Sequence, residues 1–403
     1  MTPFMRSFPL PAARRPVLAA LAVAWGLAAA CGPAAAEDAP LLPALPAGAG
    51  PTDAAAETPA ADGGIPAERP LLDGAPVGDD LPLFTHLGPD PQRYFVFDAL
   101  GLQRDYHVPD GPLVVENVTP AFPALQTNML QSTVGPGVRL LYGQYACDAP
   151  GWEVGYLGVW NMYAVSRVES PGSLLQAPGA LGFASPAMRN AAAGSFSGVT
   201  ALQSADVNAV FHTFDGGRDP LSPRPSQRVA WYDGGHIDLL GGFRWAALDD
   251  AAVLGLTPAG APGPNTYATR ATTNMFAGQL GIRGRMNFQE WALESWIKCG
   301  LAGTSIDQSQ SFSDLAAPAD PYRPAGSAYR AGMGLVADAN LSAIWRMNDV
   351  WGVRVGYNLV WLAGVALAPA QFDWSASTTP PTTIHNDGSM LLSGANAGLE
   401  ARW

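Results

Sequence analysis

The chain has 403 residues, a formal net charge of −12, 14% charged residues and 48% hydrophobic residues. The acidic balance excludes a nucleic-acid partner, which needs a basic stripe. Charged residues fall well short of the ~25% usual in soluble domains. Beyond the N-terminal leader no apolar run reaches the ~18 residues of a membrane helix. Apolar residues dispersed by alternation instead suit a β-barrel.

Arg6, Arg14 and Arg15 precede an apolar run over 16–30, and Ala34-Ala35-Ala36 supplies small residues before Glu37. This is the pattern of a cleaved signal peptide over 1–36. Cys31 after Ala28-Ala29-Ala30 leaves a lipoprotein site as an alternative; the Arg14-Arg15 pair is discounted as a twin-arginine signal, because a barrel crosses unfolded. Residues 37–90, rich in Pro, Ala, Gly and acids, form an expected disordered periplasmic arm. Cys147 and Cys299 are distant and lack metal-ligand spacing. Separate thiols are preferred over a disulfide, and no cofactor or metal is expected.

From residue 91 onward the chain alternates with period two, the mark of extended strands. The first predicted strand, 94–105, sets Phe95, Phe97 and Ala99 on one face. The second covers roughly 129–146, with Val138, Leu140 and Tyr142 opposite Arg139 and Gly143. In the third, Trp152, Val154, Tyr156, Trp160 and Met162 alternate with Glu153, Gly155 and Asn161. Ala205, Val207, Ala209 and Phe211 then face away from Asp206, Asn208 and His212. The fifth strand sets Ile237, Leu239, Phe243, Trp245 and Ala247 against His236, Asp238, Gly242 and Arg244. Phe276, Leu280, Ile282 and Met286 oppose Gln279, Arg283 and Arg285. Trp291, Leu293, Ile297, Cys299 and Leu301 oppose Glu294 and Lys298. A long hairpin over 331–361 turns at Asn348-Asp349, with Asp338, Arg346 and Arg354 off its greasy face. The last strand, from Ser389, sets Leu391, Leu399 and Trp403 against Asn396, Glu400 and Arg402.

These runs exceed the ~5–6 residues of soluble strands. Trp152, Trp245, Trp291, Trp345, Trp351, Trp361 and Trp403 sit where aromatic girdles belong. The expected fold is all-β: an antiparallel transmembrane up-and-down barrel of about 10 strands over 91–403. Twelve is the alternative, if 108–131 and 215–232 hide another pair. Breaks near Asp148, Asn287 and Asn348 are short; those near Val108, Gly179, Pro262, Asp314 and Pro380 are read as long loops. Outer-membrane barrels show this asymmetry, so an outer-membrane location is expected, with membrane lipid as partner. Small solutes or ions are further candidate partners, and nothing indicates an oligomeric state.

An ordered set of motifs carries a family resemblance. It comprises Asp98-Ala-Leu-Gly-Leu-Gln-Arg-Asp105, Gly137-Val-Arg-Leu-Leu-Tyr-Gly143, Ser204-Ala-Asp-Val-Asn208, Leu239-Leu-Gly-Gly-Phe-Arg-Trp245, Asn274-Met-Phe-Ala-Gly-Gln-Leu-Gly281, Gly356-Tyr-Asn-Leu-Val-Trp361 and Ala370-Gln-Phe-Asp373. Over 94–403 the chain resembles the beta-barrel porin-7 family of planctomycete-type bacteria. The resemblance implies an outer-membrane barrel and little about cargo. One departure is the absence of an Arg before Pro369.

The polar face carries the candidate lumen residues: Arg139, Glu153, Asp206, Asp238, Arg244, Arg283, Arg285, Glu294, Lys298, Asp338, Arg346, Arg354, Glu400 and Arg402. They cannot face lipid, where Arg or Lys costs ~2–4 kcal/mol at the midplane. Eight strands leave a filled interior and 16–18 an aqueous channel, so ten strands with both charge signs point to a filled or very narrow lumen. Enzyme readings are poor. His86, His107, His212, His236 and His385 lack ligand spacing, and Ser204 near Asp238 and His236 carries no nucleophile motif. Gly234-Gly235 and Gly241-Gly242 lack the Lys and helix of a phosphate loop, leaving strand curvature as the explanation. The expected function is a porin-like channel with a narrow mixed-charge lumen. The alternative is a structural or surface-interaction protein, for which loops 172–198 and 363–386 are suited; a soluble β-sandwich is a weaker third.

Overall fold

Alternation on this scale leaves each strand with one greasy and one polar face, and closing the sheet gives both a home. The computed structural model describes residues 92–403 except 106–110, 119–120, 147–148, 171, 173, 216–233 and 289. The expected signal peptide and arm, Cys31, Cys147, His86 and His107 lie outside the described residues.

Ten strands form a closed antiparallel ring in chain order: β1 (Gln92–Arg104), β4 (Gly135–Ala146), β5 (Ala149–Glu169), β7 (Ala191–Asp215), β8 (Gly234–Pro258), β9 (Asn265–Asn287), β10 (Trp291–Ser313), β11 (Gly326–Arg346), β12 (Trp351–Val365) and β13 (Gly388–Arg402). β1 pairs with both β4 and β13, so no edge remains. Closure satisfies every ladder hydrogen bond internally, the condition for a sheet in hydrocarbon. Three short strands, β2 (Pro112–Glu116), β3 (Pro123–Gln126) and β6 (Leu175–Gln176), attach at the long-loop end through β7. The segment suspected of hiding a further pair thus contributes β2 and β3 outside the ring. Among the described residues the ring has ten strands, not twelve.

Register fixes the barrel's girth. Hydrogen-bonded partners lead from His236 through Arg285, Glu294, Ser342, Gly356, Asn396, Leu100, Gly137, Val159 and Leu202 to Leu248, 12 residues along the starting strand. With strands ~4.8 Å apart and ~3.3 Å per residue, this gives a tilt of about 40° and a backbone radius of about 10 Å.

Outward faces divide into two zones. On β10, Trp291, Leu293, Ile297, Cys299 and Leu301 are followed by Ser305, Asp307, Ser309, Ser311 and Ser313. On β9, Phe276, Leu280, Ile282 and Met286 give way to Asn274, Thr272, Arg270 and Thr266. The apolar stretch on β10 spans about 25 Å along the axis at that tilt, the height of a barrel's lipid band. Leu280 is 74% exposed and Leu301 69%; side chains this greasy and this open are placed for lipid. Trp152, Trp291, Trp345, Trp351 and Trp403 are exposed around the short-turn rim, and Trp245 and Trp361 are half-buried on the outer wall further up.

Above the band the strands continue. β7 and β8 run 25 residues each, well past the predicted segments, because the inward positions go on alternating, as at Phe196, Leu202, Leu248 and Leu254, while the outward ones become small or polar, as at Ser195, Ser197, Asp249 and Ala251. Several expectations change accordingly. The connection near Pro262 is a tight turn of 259–264, the length having gone into the strands. Residues 191–198 of the expected surface loop belong to β7. The second predicted strand starts at Gly135, since before it only Ser132 bridges, to Ala164. In β5 a bulge at Asn161 (φ 57°) shifts the register between Val159 and Met162. One inserted residue reverses the alternation, so Met162 points inward and is fully buried rather than sharing the greasy face of Trp152. Of the expected surface loop 363–386, residues 363–365 belong to β12, and the rest folds back into the barrel mouth and buries Ala366, Leu367, Ala368, Phe372 and Ile384.

Candidate functional site

The inward face of β8 shows how the lumen is built: His236, Asp238, Leu240 and Arg244 are followed by Ala246 and Leu248, then Asp250, then Ala252, Leu254 and Leu256. Charged, apolar, polar and apolar levels succeed one another, and the other strands supply matching levels.

The charged level fills the short-turn half. Glu153 is its hub. It accepts hydrogen bonds from the Tyr94 hydroxyl (2.8 Å), Arg283 (2.8 Å), Lys298 (2.8 Å) and Asn208 (3.0 Å). Arg283 also reaches Asp238 at 2.8 Å. Lys298 bridges to Asp206 at 2.9 Å, and Arg244 joins Asp206 to Asp338. Nearer the rim, Arg354 lies between Glu294 (2.9 Å) and Glu400 (2.6 Å). Arg285 contacts the same two acids at 2.9 and 2.7 Å, and Arg402 joins both. Inward glycines make room for these groups: a Cβ on Gly143 would collide with the Tyr94 ring, and one on Gly155 with the Asp206 carboxylate.

Asn340, Asn358 and Asn396 form an amide ladder, with 2.8 and 2.9 Å between neighbours. Arg139 donates to Asn358 at 2.6 Å and lies 5.0 Å over the Trp296 ring, whose Nε1 donates to Asp338 at 3.0 Å. An isolated buried charge carries a desolvation penalty of many kcal/mol. Each of these survives inside the barrel by facing an opposite charge or a donor–acceptor partner.

Of the 14 sequence-derived lumen candidates, 13 belong to this network, and Arg346 is half-buried near the short-turn rim. Asn208, Gln279 and the amide ladder fall on the polar faces read from the sequence but outside the lumen candidates, and Asp98, Tyr94 and Trp296 are given no inward place there. The same alternation marks them: Asp98 follows outward Phe97, and Trp296 lies between Glu294 and Lys298.

Above the charges lies an apolar plate that includes Leu102, Leu157, Val159, Met162, Leu202, Leu248 and Leu362, joined by Val365 at the end of β12 and by Leu367 from the loop after it. Higher still, buried Arg104 pairs with Asp250, which also accepts from Thr200 (2.7 Å) and from the Ala368 amide (2.7 Å). At the mouth, Arg323 donates to the carbonyls of Asp373 (3.2 Å), Ser375 (3.2 Å) and Ser377 (2.8 Å) and to the Tyr267 hydroxyl (3.0 Å). Tyr267, Phe312, Phe372 and Trp374 pack together there. Between the charged level and the plate is a cavity of about 40 Å³, lined by groups including Arg139, Lys298, Arg244, Asp338, Leu202 and Leu362. That is space for about three water molecules.

The serine arrangement considered in the sequence is not assembled. Ser204 is opposite Ala246 and donates to the Trp245 carbonyl at 3.0 Å. Asp238 lies eight residues from Ala246 along the same strand, about 26 Å at strand spacing. His236 is 3.8 Å from Asp238.

No family model matches the chain, and no curated protein matches it. Among solved structures it is similar to the outer membrane protease OmpT from Escherichia coli, at 8% identity over 78% of this chain and 97% of that one, with a TM-score of 0.43. A Pseudomonas aeruginosa FadL homologue gives 7% identity, 78% and 90% coverage and a TM-score of 0.21. The anion-selective porin from Comamonas acidovorans gives 9% identity, 77% and 100% coverage and a TM-score of 0.11. Likeness at this level carries no functional argument, and the reading below rests on the barrel's own geometry.

Proposed function

We propose that the protein is an outer-membrane barrel with a sealed lumen, serving as a membrane-anchored surface scaffold rather than as a channel. The observation that carries this reading is the apolar plate with the mouth loops stacked above it. A porin needs a continuous wet path, and the 40 Å³ cavity is the space found between the charges and the plate. The buried ion pairs below work as packing, each held by two or more partners rather than offering sites to a passing ion. The tall β7–β11 collar and the ordered loops are what this barrel presents beyond the lipid band, as surface loops of a rigid scaffold do.

The outer-membrane assignment draws on the closed ring, the greasy outer band and the expected N-terminal leader. Membership of the porin-7 family is proposed on the ordered motifs alone. Planar-bilayer recording of purified, heat-modifiable protein tests the central claim. A flat trace is the expected result; reproducible unitary steps that vanish with a misfolded control would overturn it in favour of the narrow channel.

A further inference from the structure

We propose that the upper edge of β11 is a docking site for an extended segment of another polypeptide, which adds to the collar as a further antiparallel strand and carries a carboxylate opposite Arg330. The edge follows from unequal strand lengths. The β10–β11 ladder continues up to the pair Gln310–Gly326, but the β11–β12 ladder stops at Leu335–Ala363. Beyond that point the chain after β12 turns into the mouth, so β11 has a neighbouring strand on one side alone. Backbone direction is set at the other end of β11, where the Arg346 amide donates to the Glu290 carbonyl on the β10 side and the Met347 amide to the Trp351 carbonyl on the β12 side. The register with β10 runs unbroken upward from there, so the odd-numbered residues of β11 aim their N–H and C=O groups away from β10. Among the described residues no backbone group bonds those of Ser327, Tyr329 and Ala331. Three donors and three acceptors stand open in a row.

The side chains leave this edge unprotected. Above the lipid band β10 turns polar outward, with Ser305 and Asp307 opposite Ala331 and Tyr329. The outward face of β11 does not: Met333, Ala331 and Tyr329 are all exposed, and Met333 at 78% is more open than lipid-facing Leu280. Tyr329 is six residues above Leu335, which pairs with Leu301 at the top of the greasy stretch of β10; at the barrel's tilt that places it about 15 Å higher. Sheet edges are ordinarily blunted by Pro, Lys or a bulge, and 326–334 has none of these. Arg330, on the inward side of the strand, sets the chemistry of the partner. It is exposed, donates to the Ile384 carbonyl at 2.7 Å and has no carboxylate at ion-pair distance among the described residues. A strand laid along the edge puts the residue opposite Arg330 on that same face and its two neighbours outward, beside Tyr329 and Ala331. The segment that fits is apolar–acidic–apolar and extended, held chiefly by main-chain hydrogen bonds. A second copy does not supply it, because barrels in one membrane point the same way up and their β11 edges cannot meet antiparallel. The proposal deepens the scaffold reading by giving the collar a partner.

The probe is a fluorescent peptide, Thr-Val-Thr-Val-Glu-Val-Thr-Val-Thr, added to the full-length protein in detergent. Anisotropy is expected to show saturable binding, and hydrogen exchange to slow at the amides of 327–331. The same peptide N-methylated at alternate residues should not bind. Lys in place of the central Glu should weaken binding about two- to fivefold, the worth of an exposed ion pair, and Arg330→Gln should erase that preference. Ala331→Pro removes an open donor without touching the ladder to β10 and should weaken binding while the heat-modified gel shift is kept. Equal binding of the N-methylated peptide, unchanged exchange at 327–331, or no binding at all overturns the proposal. Should Ala331→Pro fail to fold, the comparison of the two peptides on the unaltered protein decides alone. Light scattering that shows a dimer, converted to monomer by Ala331→Pro, assigns the edge to a second copy and also overturns it. A barrel that conducts yet binds the strand refutes the scaffold reading alone, and a sealed barrel that ignores the peptide refutes the docking edge alone.

Discussion

Replacing Glu153 with Gln keeps the shape of the hub and removes its charge. Four donors converge on this carboxylate within 3.0 Å, and two of them, Arg283 and Lys298, are buried cations. After the change Arg283 retains Asp238, and Lys298 retains Asp206, so neither is stripped bare. Breaking a buried pair by removing one partner costs about 3–5 kcal/mol, and the remaining acids place Glu153→Gln toward the lower end of that range. The Lys298→Met change removes the complementary charge, and the double variant isolates their interaction. Because the two groups touch, the double variant is expected to be less destabilised than the sum of the singles by about 0.5–3 kcal/mol. Reversible urea unfolding in lipid vesicles, followed by tryptophan fluorescence, measures all three. The outer-wall pair Arg270–Asp249, with side chains 61% and 39% exposed, is the control, and Arg270→Ala should cost under about 1 kcal/mol. If Glu153→Gln costs no more than that control, the charged level is solvated rather than packed, and the argument for a filled lumen fails.

Three further outcomes are expected. Leu280→Arg, on the 74%-exposed outer wall, should destabilise the folded barrel by about 2–4 kcal/mol if the position lies near the bilayer midplane; an unchanged heat-modified gel shift and unfolding midpoint would move the lipid band elsewhere. Gly143→Val forces a side chain into the space of the Tyr94 ring and should lower the folded yield, whereas Gly278→Ala, where a Cβ meets nothing within 4 Å, should fold like the parent. Asp250→Ala removes the acceptor of the Ala368 amide and of Arg104; limited proteolysis within 366–387 should then become faster while the strand ladder, read by circular dichroism, is retained.

The strand set was legible because its signal is covalent. Successive side chains must point to opposite faces, and lipid on one side punishes any error with an exposed charge. Ten runs of alternation therefore gave ten strands, and Glu153, Lys298 and Arg354 could be placed inward without coordinates. Three features were not legible. Outside the lipid band the outward residues become Ser, Thr and Asp, as at Ser305–Ser313 of β10, so a strand there reads like a loop. The bulge at Asn161 is a one-residue event that period counting passes over, and it misplaced Met162. The inward course of the 366–387 loop depends on contacts distant in sequence, such as Asp250 with Ala368 and Arg323 with Ser377, which no local pattern encodes.

Whether the lumen is filled follows from combining two quantities, neither of which decides alone. Ten strands with a 12-residue shear set a backbone radius of about 10 Å. Long side chains reaching in from opposite walls meet across that distance, and small ones do not. The same radius would leave an open lumen if the inward residues were Gly, Ser and Ala throughout. Here the inward positions carry Arg, Glu, Lys and Trp at one level and Leu and Met at the next. The order of the levels matters as much as their bulk. Charges alone would admit water between them and leave an ion path, whereas an apolar plate across the same cross-section removes the partners that water and ions need. The plate therefore carries more of the sealing than the ion pairs. Opening this barrel by substitution requires shortening several plate residues at once, Leu202, Leu248 and Leu362 among them, and not the neutralisation of any one buried charge.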